Sequence, residues 1–351
     1  MAYESGLALG LTPYVAGEQP RDRKFIKLNT NENPFPPSPK VEEALRGKAE
    51  SLRLYPDMEA TALREAIAQV NGLAPEQVFC GNGSDEVLAF AFAAFFAGKT
   101  LWAPEITYSF YPVYAQLFGV DYRTAPLRED FTVDVDGLMR GGPAALANPN
   151  APTGIFLPLG EIRRLAAHCR EAGEVLLVDE AYAAFAPETH VALLREFDNL
   201  LIVRTFSKSH SLAGMRVGYA LGDPRLMNAL RRIRDAFNSY PLDRLAQAAA
   251  TAAVLDVDYT AGTTARIIRA REETRQTLQA AGIPVLPSAT NFLFVRADPV
   301  DAAPVQRALR EEGILVRHFS SEKLRPWLRV SMGTEEEMRT VARALIRLIN
   351  K

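Results

Sequence analysis

The sequence predicts an α/β fold in two unequal lobes, a large one with a mainly parallel sheet flanked by helices and a smaller α+β lobe. Three observations carry this. The chain has 351 residues, past the length at which a single core keeps growing. From about residue 76 to 222, short aliphatic runs alternate with helical patterns, the rhythm of a parallel sheet covered on both faces. After Asp258 that rhythm gives way to a long charged helix ending near Gly282, then a strand, a helix, two strands and a last helix.

In the large lobe the expected strands are Val78 to Cys80, Thr100 to Ala103, Ala144 to Ala147, Val175 to Val178, Leu200 to Val203 and Val217 to Leu221. Between two of them, Glu161 to Gly173 places Ile162, Leu165, Ala166 and Cys169 at helical spacing, as a helix lying on a sheet requires. The uncharged run Val87 to Gly98 is too short to span a membrane and reads as a buried helix. The small-lobe strands are Asn291 to Val295, Ile314 to Arg317 and Trp327 to Ser331. The first 40 residues, with NTNENPFPPSPK, lack periodicity and read as an arm packing with the small lobe. The expected division is therefore 1–40 arm, 41–257 large domain and 258–351 small domain including the linking helix.

Composition narrows the function. With 40 basic residues against 42 acidic ones, the chain lacks the electrostatic footprint of a nucleic-acid or anionic-membrane binder. Small molecules or copies of itself are the expected partners. Two cysteines, Cys80 and Cys169, make no disulfide framework, and no secretory leader is apparent, so a cytoplasmic location is expected. The four histidines form no metal-binding pattern, and no metal is expected.

Three segments carry chemistry. TFSKSHSLAGMRVGYA, Thr205 to Ala220, sets Lys208 in a Ser- and Gly-rich loop between core strands, with Arg216 eight residues on. Desolvation and nearby cations there would lower the lysine pKa, as an imine-forming amine requires; the plain alternative is an exposed loop lysine. EVLLVDEAYAAF places Asp179 at the carboxyl end of a buried strand, where open α/β sheets put their ligand sites, with Tyr182 three residues on. Alone, Asp179 reads equally well as a helix cap. VFCGNGSDEVLAFAF runs a strand through glycines into a helix near Ser84 and Asp85, a cup of unpaired N–H groups suited to phosphate. Capping by Asn82 or Ser84 is the simpler reading, and the glycine spacing does not fit a dinucleotide fingerprint.

In this order and on this strand rhythm, the three segments resemble the fold type I aminotransferases. LTPY at 11–14, KLNTNENPFPPSP at 27–39, RLYPD at 53–57 and FNSYPLDRLAQAA at 237–249 extend the likeness over nearly the whole chain and resemble the histidinol-phosphate aminotransferase family in particular. The resemblance implies pyridoxal 5'-phosphate held as a Schiff base on Lys208, which would then shuttle the substrate proton. It implies Asp179 on the pyridine nitrogen, Tyr182 on the ring oxygen and Tyr108 stacked on the ring. The phosphate would lie on the backbone of Ser84 and Asp85, with Ser207 and Arg216 adding side-chain bonds. Tyr55 would reach the phosphate of a neighbouring subunit, which implies a homodimer with shared sites. One position departs from the wider pattern N-P-T-G: this chain reads NPNAPTG from Asn148 to Gly154, with Ala151 at the Asn place. Either Asn150 approaches the ring oxygen by another path or Tyr182 holds it alone.

The implied reaction joins L-histidinol phosphate and 2-oxoglutarate to give imidazole acetol phosphate and L-glutamate, in histidine biosynthesis. Arg317 and Arg329 match the family positions that grip substrate phosphate, Arg329 also serving the carboxylate of glutamate, while Tyr14 and Asn31 on the arm would cover the substrate. Rivals on the same fold are an aromatic amino-acid aminotransferase and a phospho-amino-acid decarboxylase. A non-catalytic cofactor-sensing regulator would need an appended DNA-binding segment, and no basic helical module is seen.

Overall fold

The structure, a computed structural model, describes residues 3–14, 17–20 and 23–350. The remaining arm residues and Lys351, which fall within the expected arm and small domain, lie outside the described residues.

Eleven strands form among the described residues: β1 (Ile26–Leu28), β2 (Val78–Asn82), β3 (Thr100–Pro104), β4 (Asp121–Ala125), β5 (Ala144–Ala147), β6 (Leu176–Asp179), β7 (Leu200–Thr205), β8 (Val217–Leu221), β9 (Phe292–Arg296), β10 (Ile314–His318) and β11 (Trp327–Ser331). Seven make one sheet in the order β2-β8-β7-β6-β5-β3-β4, in which β8 alone runs against its neighbours. The central strands are buried on both faces, and their alternation shows it. Leu176 and Val178 join one apolar layer, and Leu177 joins the layer on the other side. Ile162, Leu165, Ala166 and Cys169 are the buried stripe of the helix Leu159–Glu171, as the spacing predicts.

Three expectations need correction. The large sheet has seven strands rather than six, because Asp121–Ala125 pairs with β3. Its residues DYRTA are mostly solvent-facing, as suits an edge blunted by charge, and so show no apolar alternation. The arm is not wholly irregular: Ile26–Leu28 pairs in parallel with β10, Ile26 opposite Ile314. Three residues are too few for a period to be read. The buried run after Gly83 is also not one helix, since the α-helix Gly83–Ala91 passes into a π-helical turn at Phe92–Phe96.

The second sheet, β1-β10-β11-β9, packs under the helices Val257–Ala280 and Glu335–Ile349 with its own apolar core. The last helix starts on a capping box in which Thr334 and Glu337 satisfy each other's backbone N–H groups. No helix among the described residues is long and apolar enough to cross a membrane.

Candidate active site

The carboxyl ends of β5, β6 and β7 open onto a cavity of about 370 Å³ that brings together Ser84, Asp85, Tyr108, Asp179, Tyr182, Ser207, Lys208 and Arg216. All eight were expected from the sequence. Strand β6 delivers Asp179 and, one turn on, Tyr182; the loop between β7 and β8 delivers Lys208.

Lys208 lies where its charge is disfavoured. Burial and the Arg329 guanidinium push its pKa down to about 8, with Arg216 adding to this, against the opposing fields of Asp85 and Glu32. Its Nζ donates to the Thr30 carbonyl at 3.3 Å. Asp179 is shifted the other way. Burial, with Asp85 and Glu180 nearby, raises it to about 7, although the Ala181 N–H (3.0 Å) and the Tyr111 hydroxyl (3.4 Å) both donate to the carboxylate. An amine and a carboxylic acid poised near neutrality in one cavity are matched to proton transfer.

The anion cup depends on two glycines. A Cβ on Gly218 would stand 2.2 Å from the Ser84 backbone nitrogen, and one on Gly83 would stand 2.6 Å from Arg216 Nη2. Gly83 also has φ +79°, left-handed backbone that side chains avoid. Only without those side chains do the helix start and the guanidinium converge. Arg216 Nη2 pairs with Asp85 at 3.0 Å, Nη1 stands 3.4 Å from Ser207 Oγ, and the Tyr108 hydroxyl donates to Asp85 at 2.7 Å.

An adjoining cavity of about 280 Å³ shares Tyr108 and Ala151 with the first and is lined by Tyr14, Arg317 and Arg329. The two arginines sit opposite each other in register on β10 and β11. Arg329 donates from Nη2 to the Asn29 carbonyl at 3.1 Å, while its buried Nε has no protein partner. Tyr14 stacks on Phe110, centroids 4.3 Å apart.

Three expected residues line neither cavity. Asn150 is buried with its Nδ2 donating to the Ile106 carbonyl (2.9 Å) and Thr153 Oγ1 (3.1 Å). Asn31 has its amide committed, Nδ2 donating to the Tyr182 hydroxyl at 2.8 Å and Oδ1 accepting from Ser331 at 2.8 Å. Tyr55 is 78% exposed and stacks on Tyr240. Conversely, the sequence reading missed Thr30 and Glu32, which line the cavity from the arm, and Tyr111, which donates to Asp179. Tyr111 follows Tyr108 by one helical turn, a spacing that could have flagged it. Nothing local marks Thr30 or Glu32.

Such a fold, with a buried lysine facing a strand-end carboxylate above an anion cup, defines an aminotransferase. A family model for aminotransferase class I and II matches residues 23–345, and the chain belongs to that family. Along nearly its whole length it is similar to histidinol-phosphate aminotransferases. It is 50% identical to that of Gluconacetobacter diazotrophicus, covering 95% of this chain and 94% of the relative. It is 45% identical to one from Clostridium botulinum, covering 99% of both chains. The crystal structure of the Sinorhizobium meliloti histidinol-phosphate aminotransferase in complex with pyridoxal-5'-phosphate superposes with a TM-score of 0.89 at 30% identity, covering 100% of this chain and 98% of that one.

Proposed function

We propose that the protein transfers the amino group of L-histidinol phosphate to 2-oxoglutarate, working in the cytoplasm as a homodimer with pyridoxal phosphate. The observation that carries this is the pairing of a cofactor-sized cavity with a second cavity holding two guanidiniums and no acidic partner for Arg329 Nε.

The residues present fit the cofactor. A lysine amine on one side, a carboxylic acid at the back and a cup kept open by Gly83 and Gly218 match its aldehyde, ring nitrogen and phosphate. Bound, pyridoxal phosphate supplies an aldehyde that condenses with amines and a ring that delocalises the charge left on carbon. Asp179 would hold the ring nitrogen in its protonated form. Tyr182, itself held by Asn31, would bond the ring oxygen, with the Asn150 amide nitrogen turned to the Ile106 carbonyl. Tyr108 would cover the ring face. Ser84 and Asp85 N–H groups, Ser207 and Arg216 would hold the phosphate. Lys208 Nζ would hold the cofactor aldehyde and, once displaced by the substrate amine, would carry the proton from the carbon bearing the substrate nitrogen to the former aldehyde carbon. Arg317 and Arg329 grip the substrate phosphate, and Arg329 takes the glutamate carboxylate in the second half-reaction. Tyr14 shields the substrate from water. The functional division follows the three expected segments: arm 1–40, cofactor lobe 41–257 and substrate-gripping lobe 258–351.

The test is turnover of histidinol phosphate with 2-oxoglutarate, alongside phenylalanine as donor and carbon dioxide release. Efficient use of another donor with none of this one defeats the assignment. Arg317→Gln should lower kcat/KM for histidinol phosphate about 10- to 100-fold and leave glutamate nearly unaffected, whereas Arg329→Gln should impair both. Equal losses for both donors in Arg317→Gln would remove its phosphate role.

Support for the dimer is the exposure of Leu52, Leu54, Tyr55, Phe237 and Tyr240, with Tyr55 and Tyr240 stacked on each other. If Tyr55 serves the partner's phosphate, Tyr55→Phe should weaken cofactor binding about tenfold. Mixing Tyr55→Phe chains with inactive Lys208→Ala chains should then restore one native site per hybrid dimer. Activity no greater than the sum of the separate variants would exclude sharing.

A further inference from the structure

Behind the cavity lies a group of ionisable side chains that the mechanism leaves unused. Glu180, next to Asp179, is fully buried. Its Oε1 accepts from both the backbone N–H and Nδ1 of His190, each at 2.7 Å. Its Oε2 accepts from Arg204 Nε at 2.8 Å and Thr189 Oγ1 at 3.1 Å. Arg204 continues to Asn71 Oδ1 at 2.9 Å and touches Thr189 Oγ1. On the other side, His190 Nε2 meets Asn148 Nδ2 at 3.2 Å. The Asn148 amide is oriented by two bonds to Leu157, Oδ1 accepting its N–H and Nδ2 donating to its carbonyl, each 2.8 Å. Nδ2 is therefore the donor, His190 Nε2 accepts, and the imidazole proton on Nδ1 faces Glu180.

The chain Asn148–His190–Glu180–Arg204 crosses three adjacent strand ends. Asn148 follows β5, Glu180 follows β6 and Arg204 lies on β7. These strands lead directly into Ala151, Asp179 and Lys208, which line the cavity. A buried carboxylate is costly unless paired and hydrogen-bonded. Here both oxygens are saturated, and although burial pushes its pKa up, Arg204 and His190 hold it down at about 2.

We propose that Glu180, His190 and Arg204 are positioning residues that fix the ends of β5, β6 and β7 relative to one another, so that Asp179 and Lys208 face the cavity from set places, and that the Glu180 charge contributes to the field at Asp179. This rests on the roles assigned above to Asp179 and Lys208. The fields reaching Glu180 come from Arg204, His190, Asp179 and Tyr219. Those reaching Asp179 come from Asp85 and Glu180, with Tyr108, Tyr111, Tyr114 and Tyr182 also facing it. Those reaching Lys208 come from Arg329, Asp85, Glu32 and Arg216. In this arrangement the Glu180 and Arg204 charges act with opposite sign.

The experiment titrates the visible absorption of the cofactor-loaded protein and measures cofactor dissociation from it. Glu180→Gln removes a negative charge and should lower the absorption midpoint by about half to one pH unit; Arg204→Met removes a positive one and should raise it by a similar amount. Arg204→Lys should return the midpoint toward that of the parent. A purely structural role would move both variants the same way or neither, and either outcome overturns the proposal. Thr189→Val, which keeps both charges and deletes the hydroxyl's bonds to Glu180 and Arg204 together with its cap on the Val191 N–H, covers a Glu180→Gln chain that does not fold. It should speed cofactor loss severalfold with the midpoint unmoved, and retention equal to the parent's would again overturn the proposal. If Lys208→Ala still trapped the cofactor covalently, the site assignment itself would have failed, a result separable from all of these.

Discussion

Lys208→Ala, purified with pyridoxal phosphate and treated with borohydride, should show no covalent adduct, and its turnover should fall by at least about 10⁴-fold. The size of the loss follows from two jobs done by one nitrogen. On the function proposed above, the amine would anchor the cofactor aldehyde, and the same atom would move the substrate proton. Burial and the Arg329 and Arg216 guanidiniums bring its pKa to about 8, so a usable fraction is uncharged at neutral pH. Mass spectrometry of peptides from the reduced parent protein should place the adduct on Lys208; an adduct on another lysine in the variant would displace the site map.

Asp179→Asn should have effects of opposite sign on activity and on the stability of the cofactor-free protein. Turnover should drop at least about 10²-fold, because a carboxamide cannot keep the ring nitrogen protonated. Stability behaves differently. Burial lifts the carboxyl from 3.8 to about 7, so the cofactor-free folded chain holds a proton that the unfolded chain has released. The stability this provides is complete below the unfolded value and is lost as pH rises through about 7, a decline of up to about 4 kcal/mol. The Asn variant has no charge to bury and should lack that decline. Thermal unfolding of both cofactor-free proteins between pH 5 and 8 checks this. If the parent unfolds at the same temperature across that range, Asp179 is not the buried acid described here.

Much of the architecture was legible because the central strands are buried on both faces. Leu176 to Val178 and Leu200 to Val203 read as unbroken apolar runs, and the helix between Pro158 and Gly173 carries its stripe openly. Seven of the eight residues around the main cavity were legible for a related reason, each belonging to a segment anchored at the end of such a strand or helix; Tyr108 was expected only from the family resemblance. What escaped notice was held by partners distant in sequence. The strand Ile26–Leu28 exists only through residues 314–316, and Asp121–Ala125 only through β3. Thr30 enters the site by its carbonyl, which any residue type could supply. Asn31 was expected against substrate and stands behind Tyr182, because the small-lobe residues Ser331 and Asn291 capture it. Glu180, beside the most conspicuous carboxylate in the chain, gave no local sign that it faces Arg204 and His190.

The pairing of β2 with β8 also governs the order in which the chain can assemble during synthesis. β2 has a single ladder partner, with Asn82 opposite Val217. About 135 residues must therefore emerge after β2 before its edge can be satisfied, a wait on the order of ten seconds at ordinary elongation rates. The nascent chain carries the apolar segment Val78–Cys80 without its strand partner through that interval, so the cup proposed for the phosphate is a late product of translation, and chaperone occupancy should concentrate on the polypeptide before β8 leaves the ribosome.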